Sequence, residues 1–174
     1  MMLAERWQGQ DVAGWWLAEK LDGVRAYWDG AVIRTRSWRE IDAPAWFVAK
    51  LPRGVALDGE LWGGRGTFQI ASELSRFARA ADHPAWHVMQ FCAFDWPTCE
   101  AIPCEARIAK IESWRNETVK PVELRRCEGA TDARDTMAQI VRGGGEGVVV
   151  KRPKHFYEFG RSRDWLKVKP VTMD

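Results

Sequence analysis

Four short segments of the chain place charged side chains beside predicted strand ends, where they could face a cleft. In the first, Lys20 lies two residues before Asp22 and five before Arg25, with Gly23 at the turn between them. A lysine amine is a nucleophile only when it is deprotonated, and its free pKa is about 10.4. A neighbouring arginine, a metal ion or desolvation would favour the neutral amine. This segment therefore predicts a reactive lysine, with a surface turn of mixed charge as the alternative.

Two further segments supply carboxylates. Glu60 lies inside an apolar strand, two residues after Asp58, and its carboxylate could interact with a ribose hydroxyl or bind a divalent cation. Taken alone, this pattern fits the exposed face of an edge strand better than it fits a functional carboxylate. Glu146 precedes a predicted buried strand that Lys151 ends, so both side chains could face one cleft.

The fourth segment is basic. Lys167 and Lys169 share one face of a predicted strand because side chains alternate along it. Two adjacent cations repel each other, so we expect an anion between them, with a solvated strand face as the alternative. Basic residues are concentrated in two stretches that could face phosphates, although a solvated basic tail explains such a run better when it is taken alone. These stretches contain Arg34, Arg36 and Arg39, and Lys151, Arg152, Lys154, Arg161, Arg163, Lys167 and Lys169.

Strands and helices in irregular order must position these segments. Asp29-Gly30 between two strand-like runs predicts a β-hairpin. Because the elements do not alternate regularly, we expect an α+β domain with largely antiparallel sheets flanked by helices. The predicted strands span 24–28, 31–35, 55–62, 87–94, 122–125, 147–151 and 165–168, and the predicted helices span 42–50, 67–80, 105–117 and 131–142.

Composition excludes several classes of protein. A chain of 174 residues that is 46% hydrophobic and 29% charged fits one folded domain rather than a disordered chain. No apolar run approaches the ~20 residues that cross a bilayer, and the N-terminus has no apolar signal core. We therefore expect a cytoplasmic protein without membrane contact, with export of a processed precursor as the alternative. The net charge of +2 is too small to indicate nucleic-acid binding by itself.

The cysteine and tryptophan counts add two expectations. The 4 cysteines contain no C-x-x-C pair, which disfavours a zinc site and leaves free thiols as the expectation and disulfides as an alternative. The 11 tryptophans are a surplus, and we expect part of that aromatic surface to contact something other than the core.

Together and in this order, the segments resemble the motifs of the covalent nucleotidyltransferases, namely ATP-dependent DNA ligases, RNA ligases and mRNA capping enzymes. Residues 20–25 (KLDGVR) match the pattern K-x-D-G-x-R, and residues 58–60 match the second, acidic motif. The aromatic-aspartate motif is similar to residues 91–95, and the last two motifs match 146–151 and 167–169. The chain most resembles the minimal bacterial ATP-dependent DNA ligases, with which 19–30, 62–68 and 160–170 also agree.

This resemblance implies a reaction on nicked double-stranded DNA. Lys20 would attack the α-phosphorus of ATP, expel pyrophosphate and form a lysyl-AMP intermediate, with Mg²⁺ or Mn²⁺ as metal cofactor. AMP would pass to the 5′-phosphate of the nick, and the 3′-hydroxyl would displace it, in DNA repair, replication or recombination. We expect a monomer. The implied nucleotide-binding residues are Glu19, Arg25, Arg36, Glu60, Phe94 (stacking on adenine), Lys167 and Lys169; the metal-binding residues are Glu60 and Glu146; the DNA-phosphate contacts are Arg34, Arg36, Lys151, Arg161 and Arg163.

The chain departs from the family pattern at three places. Trp38 stands where the family usually has glycine, two residues after Arg36, and Ala18 offers only its backbone two residues before Lys20. The sequence also ends five residues after Lys169, whereas family ligases continue into an OB-fold domain that clamps DNA. We therefore expect residues 1–174 to form an adenylation domain without the OB-fold: a truncated ligase, a naturally minimal protein, or one that uses a partner in trans.

Two other functions stay open from the sequence. One is an RNA ligase or capping-type nucleotidyltransferase, which shares the same motifs. The other is a nucleic-acid-binding module with little self-adenylation, which the intact set of motif residues disfavours.

Overall fold

Two five-stranded sheets with helices packed against them make up the chain in a computed structural model, which describes residues 1–98 and 100–170. The first sheet has the strand order β1-β10-β9-β2-β8 and the second has the order β4-β3-β5-β6-β7. The strands are β1 (Met2–Arg6), β2 (Trp16–Glu19), β3 (Val24–Trp28), β4 (Ile33–Thr35), β5 (Leu57–Trp62), β6 (Gln90–Asp95), β7 (Val119–Pro121), β8 (Arg125–Arg126), β9 (Val148–Lys151) and β10 (Gly160–Val168). The α-helices are α1 (Ala45–Val48), α2 (Phe68–Leu74), α3 (Cys104–Glu112) and α4 (Ala130–Arg142).

The first sheet is built around β9, which pairs antiparallel with both β2 and β10. Its run of three valines, 148–150, suits a central strand because β-branched side chains pack well on a pleated surface. Helix α4 covers this sheet with Ala133, Met137 and Ile140, which recur at helical spacing on one face. Strand β1 extends the sheet by pairing parallel with β10.

The second sheet begins with the predicted hairpin, which is confirmed. The Asp29 carboxylate accepts hydrogen bonds from the backbone N–H groups of Ala31 and Val32 at 2.9 and 2.8 Å, and this fixes the turn between β3 and β4. A large apolar cluster packs against this sheet, with Trp28 and Trp86 almost fully buried in it. Most strand pairs are antiparallel, as the predicted fold class requires; β1 with β10 and β6 with β7 are parallel.

A chain of buried charges connects the second sheet to helix α3 and the first sheet. Arg107 on α3 is 0% exposed and donates from Nε to Asp95 Oδ1 at 2.7 Å, at the end of β6. Its Nη1 donates to the carbonyl oxygens of Ile102 and His155 at 2.6 and 2.8 Å. Lys151 at the end of β9 lies 3.8 Å from the other Asp95 oxygen. Burial alone would raise the pKa of Asp95, but Lys151 and Arg107 hold it below its ordinary value.

Several element boundaries differ from the sequence predictions. The helix predicted to run from 67 to 80 ends at Leu74, and Thr67 does not cap it, because its hydroxyl donates to the Gly64 carbonyl instead. Residues 84–88 form a 3₁₀ helix, so β6 begins at Gln90 rather than at 87. The strand predicted at 122–125 is wrong: β7 ends at Pro121, and of the predicted stretch only Arg125 lies in a strand, β8. Strands β1 and β2 were not predicted.

Two further expectations concern the cysteines and membrane-spanning segments. Cys92, Cys104 and Cys127 are buried free thiols, and Cys99 lies outside the described residues. None of the helices within residues 1–98 and 100–170 is long and apolar enough to span a membrane.

The buried Arg107–Asp95 pair generates a stability prediction. Arg107→Leu should lower the free energy of unfolding by about 3–5 kcal/mol, because it leaves a buried carboxylate without its main partner. Urea denaturation followed by tryptophan fluorescence measures this. As a control, Arg115→Ala removes the exposed pair with Glu112 and should cost less than about 1 kcal/mol. Equal losses in the two variants would contradict the assignment.

Candidate functional site

A cleft of about 300 Å³ takes its walls from both sheets. The first sheet contributes residues of β1, β2, β9 and β10, and the second contributes residues of β3, β5 and β6. The polar and aromatic residues that line it are Glu19, Lys20, Arg25, Arg36, Glu60, Phe94, Lys151, Arg161, Trp165, Lys167 and Lys169. The fold thus brings together every nucleotide-binding residue predicted from the sequence, although their roles stay predictions.

Strand pairing explains why Lys20, Glu146 and Lys169 meet at one end of the first sheet. Strand β2 ends, β9 begins and β10 ends at that edge, since Val148 pairs with both Glu19 and Val168. The Lys20 N–H extends the ladder by donating to the Gly147 carbonyl at 2.8 Å. Gly147 has φ +147°, and a Cβ there would clash with the Val168 carbonyl, so the sequence needs glycine after Glu146.

Glu146 is the carboxylate that holds the two lysines. Its Oε2 lies 2.5 Å from Lys20 Nζ, and its Oε1 pairs with Lys169 Nζ. Partial burial alone would raise the pKa of Glu146, but the hydrogen bonds from Lys169 and Lys20 lower it below its ordinary value. Glu146 is therefore ionised at neutral pH and fixes the position of the Lys20 amine.

The positive charge in this part of the cleft exceeds what Glu146 can neutralise. The pKa of Lys167 is lowered, first by partial burial and then by the charges of Lys169, Arg161, Lys20 and Arg36. A group of cations that repel one another is stabilised by an anion placed among them. This convergence supports the anion site that the spacing of Lys167 and Lys169 predicts.

The second sheet supplies Arg25 and Glu60, which face each other as paired residues of β3 and β5. Arg25 is held by Asp58, to which it donates from Nε at 2.7 Å and from Nη2 at 2.8 Å. Gly23 lets the chain just before β3 lie close to β5, because a Cβ at Gly23 would clash with the Leu61 carbonyl. Gly23 and Gly147, two of the glycines in the matched motifs, thus have steric reasons.

Glu60 is mostly buried, and burial raises its pKa to about 7. The charges of Arg25 and Lys20 act in the opposite direction, while Asp58 and Glu146 raise the pKa further. A carboxyl group that loses its proton near pH 7 in a cleft is a common feature of functional sites.

Phe94 forms part of an aromatic wall with Trp165, their ring centroids 5.5 Å apart at 70°. The Arg25 guanidinium carbon lies 4.7 Å from the Phe94 ring centroid. Lys151 departs from its predicted role as a DNA contact: it is 3% exposed and donates to the Phe94 carbonyl oxygen. Burial lowers its pKa. Lys151 is therefore a buried support of the cleft wall and does not present its charge on the surface.

The other predicted DNA contacts lie on different parts of the surface. Arg36 and Arg161 line the cleft. Arg34 pairs with Asp29 inside the hairpin at 2.7 Å and does not line the cleft. Arg163 has a side chain that is 88% exposed. Contact of these four arginines with DNA stays a prediction.

Both departures near the cleft have a structural basis. Trp38 has φ +64°, a conformation that favours glycine, and its ring packs edge-on against Tyr27 at 5.1 Å. Ala18 is buried within β2 and lines the cleft, where its polar atoms are those of the backbone.

Three residues at the site had no role assigned from the sequence: Asp58, Arg65 and Tyr157. Asp58 was visible only as an acid two residues before Glu60. Arg65 donates to both Glu19 oxygens at 2.9 Å and to the Gly143 carbonyl at 3.0 Å, joining the β5–α2 loop to the first sheet. The Tyr157 hydroxyl donates to Asp58 Oδ2 at 2.7 Å. Nothing in the sequence around Arg65 or Tyr157 indicates these distant partners.

A magnesium ion is compatible with the carboxylates in the cleft. Within the described ranges, no group of three or more His, Cys, Asp or Glu side chains is placed to hold a metal. Mg²⁺ commonly uses one or two carboxylates and completes its shell with water and substrate phosphates. Glu60 lines the cleft, and the charge of Glu146 raises the pKa of Glu60, so these two carboxylates match the number that Mg²⁺ commonly uses.

Comparisons with known proteins agree with this geometry. A DNA ligase from Haemophilus influenzae is 34% identical over 173 residues, which cover 97% of this chain and 63% of that protein. The chain thus spans less than two thirds of that relative. DNA ligase 4 of Coprinopsis cinerea is 40% identical over 73 residues, which cover 41% of this chain and 6% of that protein.

Two solved structures are also similar to this chain. A structure from a study of DNA binding by Lig E DNA ligases superposes with a TM-score of 0.90 at 34% identity, covering 98% of this chain and 68% of that one. The Chlorella virus DNA ligase-adenylate matches in fold, with a TM-score of 0.78 at 20% identity, covering 97% of this chain and 66% of that one.

A family model described as the ATP-dependent DNA ligase domain matches residues 1–169, which include all five motifs. The resemblance inferred from the motifs is thereby confirmed, and the chain belongs to the ATP-dependent DNA ligase domain family.

Proposed function

We propose that this chain is the adenylation domain of an ATP-dependent DNA ligase, which charges itself with AMP and transfers it to a nick in double-stranded DNA. The observation that carries the proposal is the position of Lys20. Its amine is held by Glu146 in a cleft where Arg36, Arg161, Lys167 and Lys169 gather positive charge. The names of the relatives support DNA rather than RNA as the substrate.

The first step follows from these positions. The Lys20 amine, after losing a proton, attacks the α-phosphorus of ATP; a P–N bond forms, and the P–O bond to pyrophosphate breaks. Lys167 and Lys169 hold the oxygens on which negative charge develops, which is the main contribution a protein makes to phosphoryl transfer. Glu60 binds the ribose, and Phe94 stacks on adenine.

Glu60 and Glu146 are the residues that would hold a divalent cation. When bound, Mg²⁺ supplies charge neutralisation at the phosphates. Binding at Glu146 requires that Lys20 and Lys169 release this carboxylate. Adenylation of Lys20 would remove the positive charge of that amine and with it the ion pair with Glu146.

In the later steps AMP moves to the 5′-phosphate of the nick, and the 3′-hydroxyl displaces it. Arg25 and Arg36 contact the nucleotide or the nick phosphate from within the cleft. Arg34, Arg161 and Arg163 contact phosphates of the duplex. An OB-fold, on a longer form of this protein or supplied in trans, would help to clamp the DNA.

Labelling with ATP tests the role of Lys20. With Mg²⁺ and ATP labelled at the α-phosphate, the unchanged protein should acquire label and Lys20→Ala should acquire none, because the variant lacks the nucleophile. Lys50→Ala, which removes an exposed lysine paired with Glu117, should label normally. Label on Lys20→Ala, or none on the unchanged protein, would contradict the proposal.

A nick that already carries AMP separates the later chemistry from self-adenylation. The unchanged protein and Lys20→Ala should both seal pre-adenylated nicked DNA in the presence of Mg²⁺, because this step does not use the lysine. Sealing of a nicked RNA duplex in preference to nicked DNA would instead favour the RNA ligase alternative.

Glu60→Gln should weaken activity and stabilise the fold. A folded-state pKa of about 7, against an ordinary 4.5, means that stability is full below pH 4.5 and falls until about pH 7. The variant has no such fall, so its advantage in unfolding free energy should grow over this range to about 3 kcal/mol. Self-adenylation should drop at least about tenfold through the lost charged interaction. Denaturation at pH 5 and pH 8 measures the first effect; equal differences at both would contradict it.

A further inference from the structure

A closed ring of hydrogen bonds holds the Arg25 guanidinium. Arg25 donates from Nη2 to the Met2 carbonyl oxygen at 2.6 Å and, from Nε and Nη2, to the two oxygens of Asp58. The Tyr157 hydroxyl donates to Asp58 Oδ2 at 2.7 Å. The ring closes because the Met2 N–H donates to the same Tyr157 oxygen at 3.0 Å.

The members of this ring come from four distant parts of the chain. Arg25 and Asp58 lie on β3 and β5 of the second sheet, while Met2 lies on β1 of the first sheet. Tyr157 lies in the connection between β9 and β10. Met2 and Asp58 are 0% exposed and Tyr157 is 8% exposed, so water does not replace these bonds. The ring therefore fixes Arg25 relative to both walls of the cleft.

The Tyr157 hydroxyl is the member that connects the two sheets with one oxygen atom. Burial first, and then the nearby Asp58 charge, raises the pKa of Tyr157 far above its ordinary value, so the hydroxyl keeps its proton and donates it to Asp58. Within the described part of the chain, Arg25 Nη1 makes no hydrogen bond. That nitrogen is available to a ligand in the cleft that Arg25 lines.

We propose that Tyr157 is a positioning residue for the phosphoryl-transfer chemistry: its hydroxyl orients Asp58 and the backbone of Met2, and these orient Arg25 toward a phosphate in the cleft. This proposal rests on the proposed function for the role of Arg25. The arrangement itself is independent of that role, because it consists of bonds within the folded chain.

Hydrogen exchange at arginine side chains tests the arrangement without any activity. In protein labelled with ¹⁵N-arginine, the Nε–H signals of Arg25 and Arg107 are assigned by their loss in Arg25→Lys and Arg107→Lys. Arg107 belongs to the separate buried pair with Asp95 and serves as the internal control. In Tyr157→Phe, exchange at Arg25 should accelerate about tenfold, the effect of losing one hydrogen bond, while exchange at Arg107 stays unchanged. Equal changes at both, or none at Arg25, would overturn the proposal.

A double-mutant cycle tests the consequence for the chemistry. Two rates are measured for Tyr157→Phe: single-turnover self-adenylation and sealing of a pre-adenylated nick. At least one of them should be about tenfold lower than in the unchanged protein. The double variant Tyr157→Phe with Arg25→Lys should be little slower than Arg25→Lys alone, because Tyr157 acts on the reaction through Arg25. Ser75→Ala, which removes one buried hydroxyl hydrogen bond away from the cleft, should keep both rates. Additive effects of Tyr157 and Arg25 would overturn the proposal.

The two arms distinguish the possible failures. If the unchanged protein neither labels nor seals, the proposed function fails, whereas the exchange experiment still reports on the ring. If the unchanged protein is active and Tyr157→Phe retains its full rate in both steps, the positioning role fails and the proposed function stands.

Discussion

The concentration of positive charge in one cleft is the constraint on which this structure depends. Lys20, Lys167 and Lys169 converge with Arg36 and Arg161, and Glu146 alone bonds two of them. Like charges that lie close enough to lower the pKa of Lys167 destabilise a fold unless an anion is present. The arrangement therefore makes physical sense as a site built for phosphates, and the strands around it must be rigid enough to hold the repelling groups together.

That rigidity comes from backbone pairing in the first sheet and from buried ion pairs between the sheets. Strand β9 is paired on both sides, which fixes Glu146 relative to Lys20 and Lys169. Buried charge then ties the two walls together. Asp95 joins α3 and β6 to Lys151 on β9, and the ring through Asp58 joins β3 and β5 to β1. Each of these carboxylates is buried and needs its partners, so the walls are fixed where the cleft requires fixed positions.

The cleft thus has two regions that differ in charge. Toward the end of the first sheet, cations predominate and Glu146 is ionised. On the second sheet, Glu60 has a pKa of about 7, which shows how strongly burial opposes its charge. In the proposed function, the phosphates of a nucleotide would relieve the repulsion in the first region, and its ribose would lie against Glu60 in the second.

The sequence by itself determined the family to which this chain belongs. The motif lysine, the acids at 60 and 146 and the paired lysines at 167 and 169 could be picked out because five motifs occur in the family's order, although each segment taken alone also fitted a surface turn or an exposed strand face. The α+β class and the Asp29-Gly30 hairpin followed from local rules. Sequence reasoning failed where the partners are distant. Strands β1 and β2 were missed because their patterns are short and mixed. The local sequence around Lys151 does not indicate whether that lysine is exposed or buried. Only the tertiary structure decided that Lys151 supports Phe94, that Arg65 clamps Glu19, and that Tyr157 reaches Asp58, because each contact joins residues at least 46 positions apart.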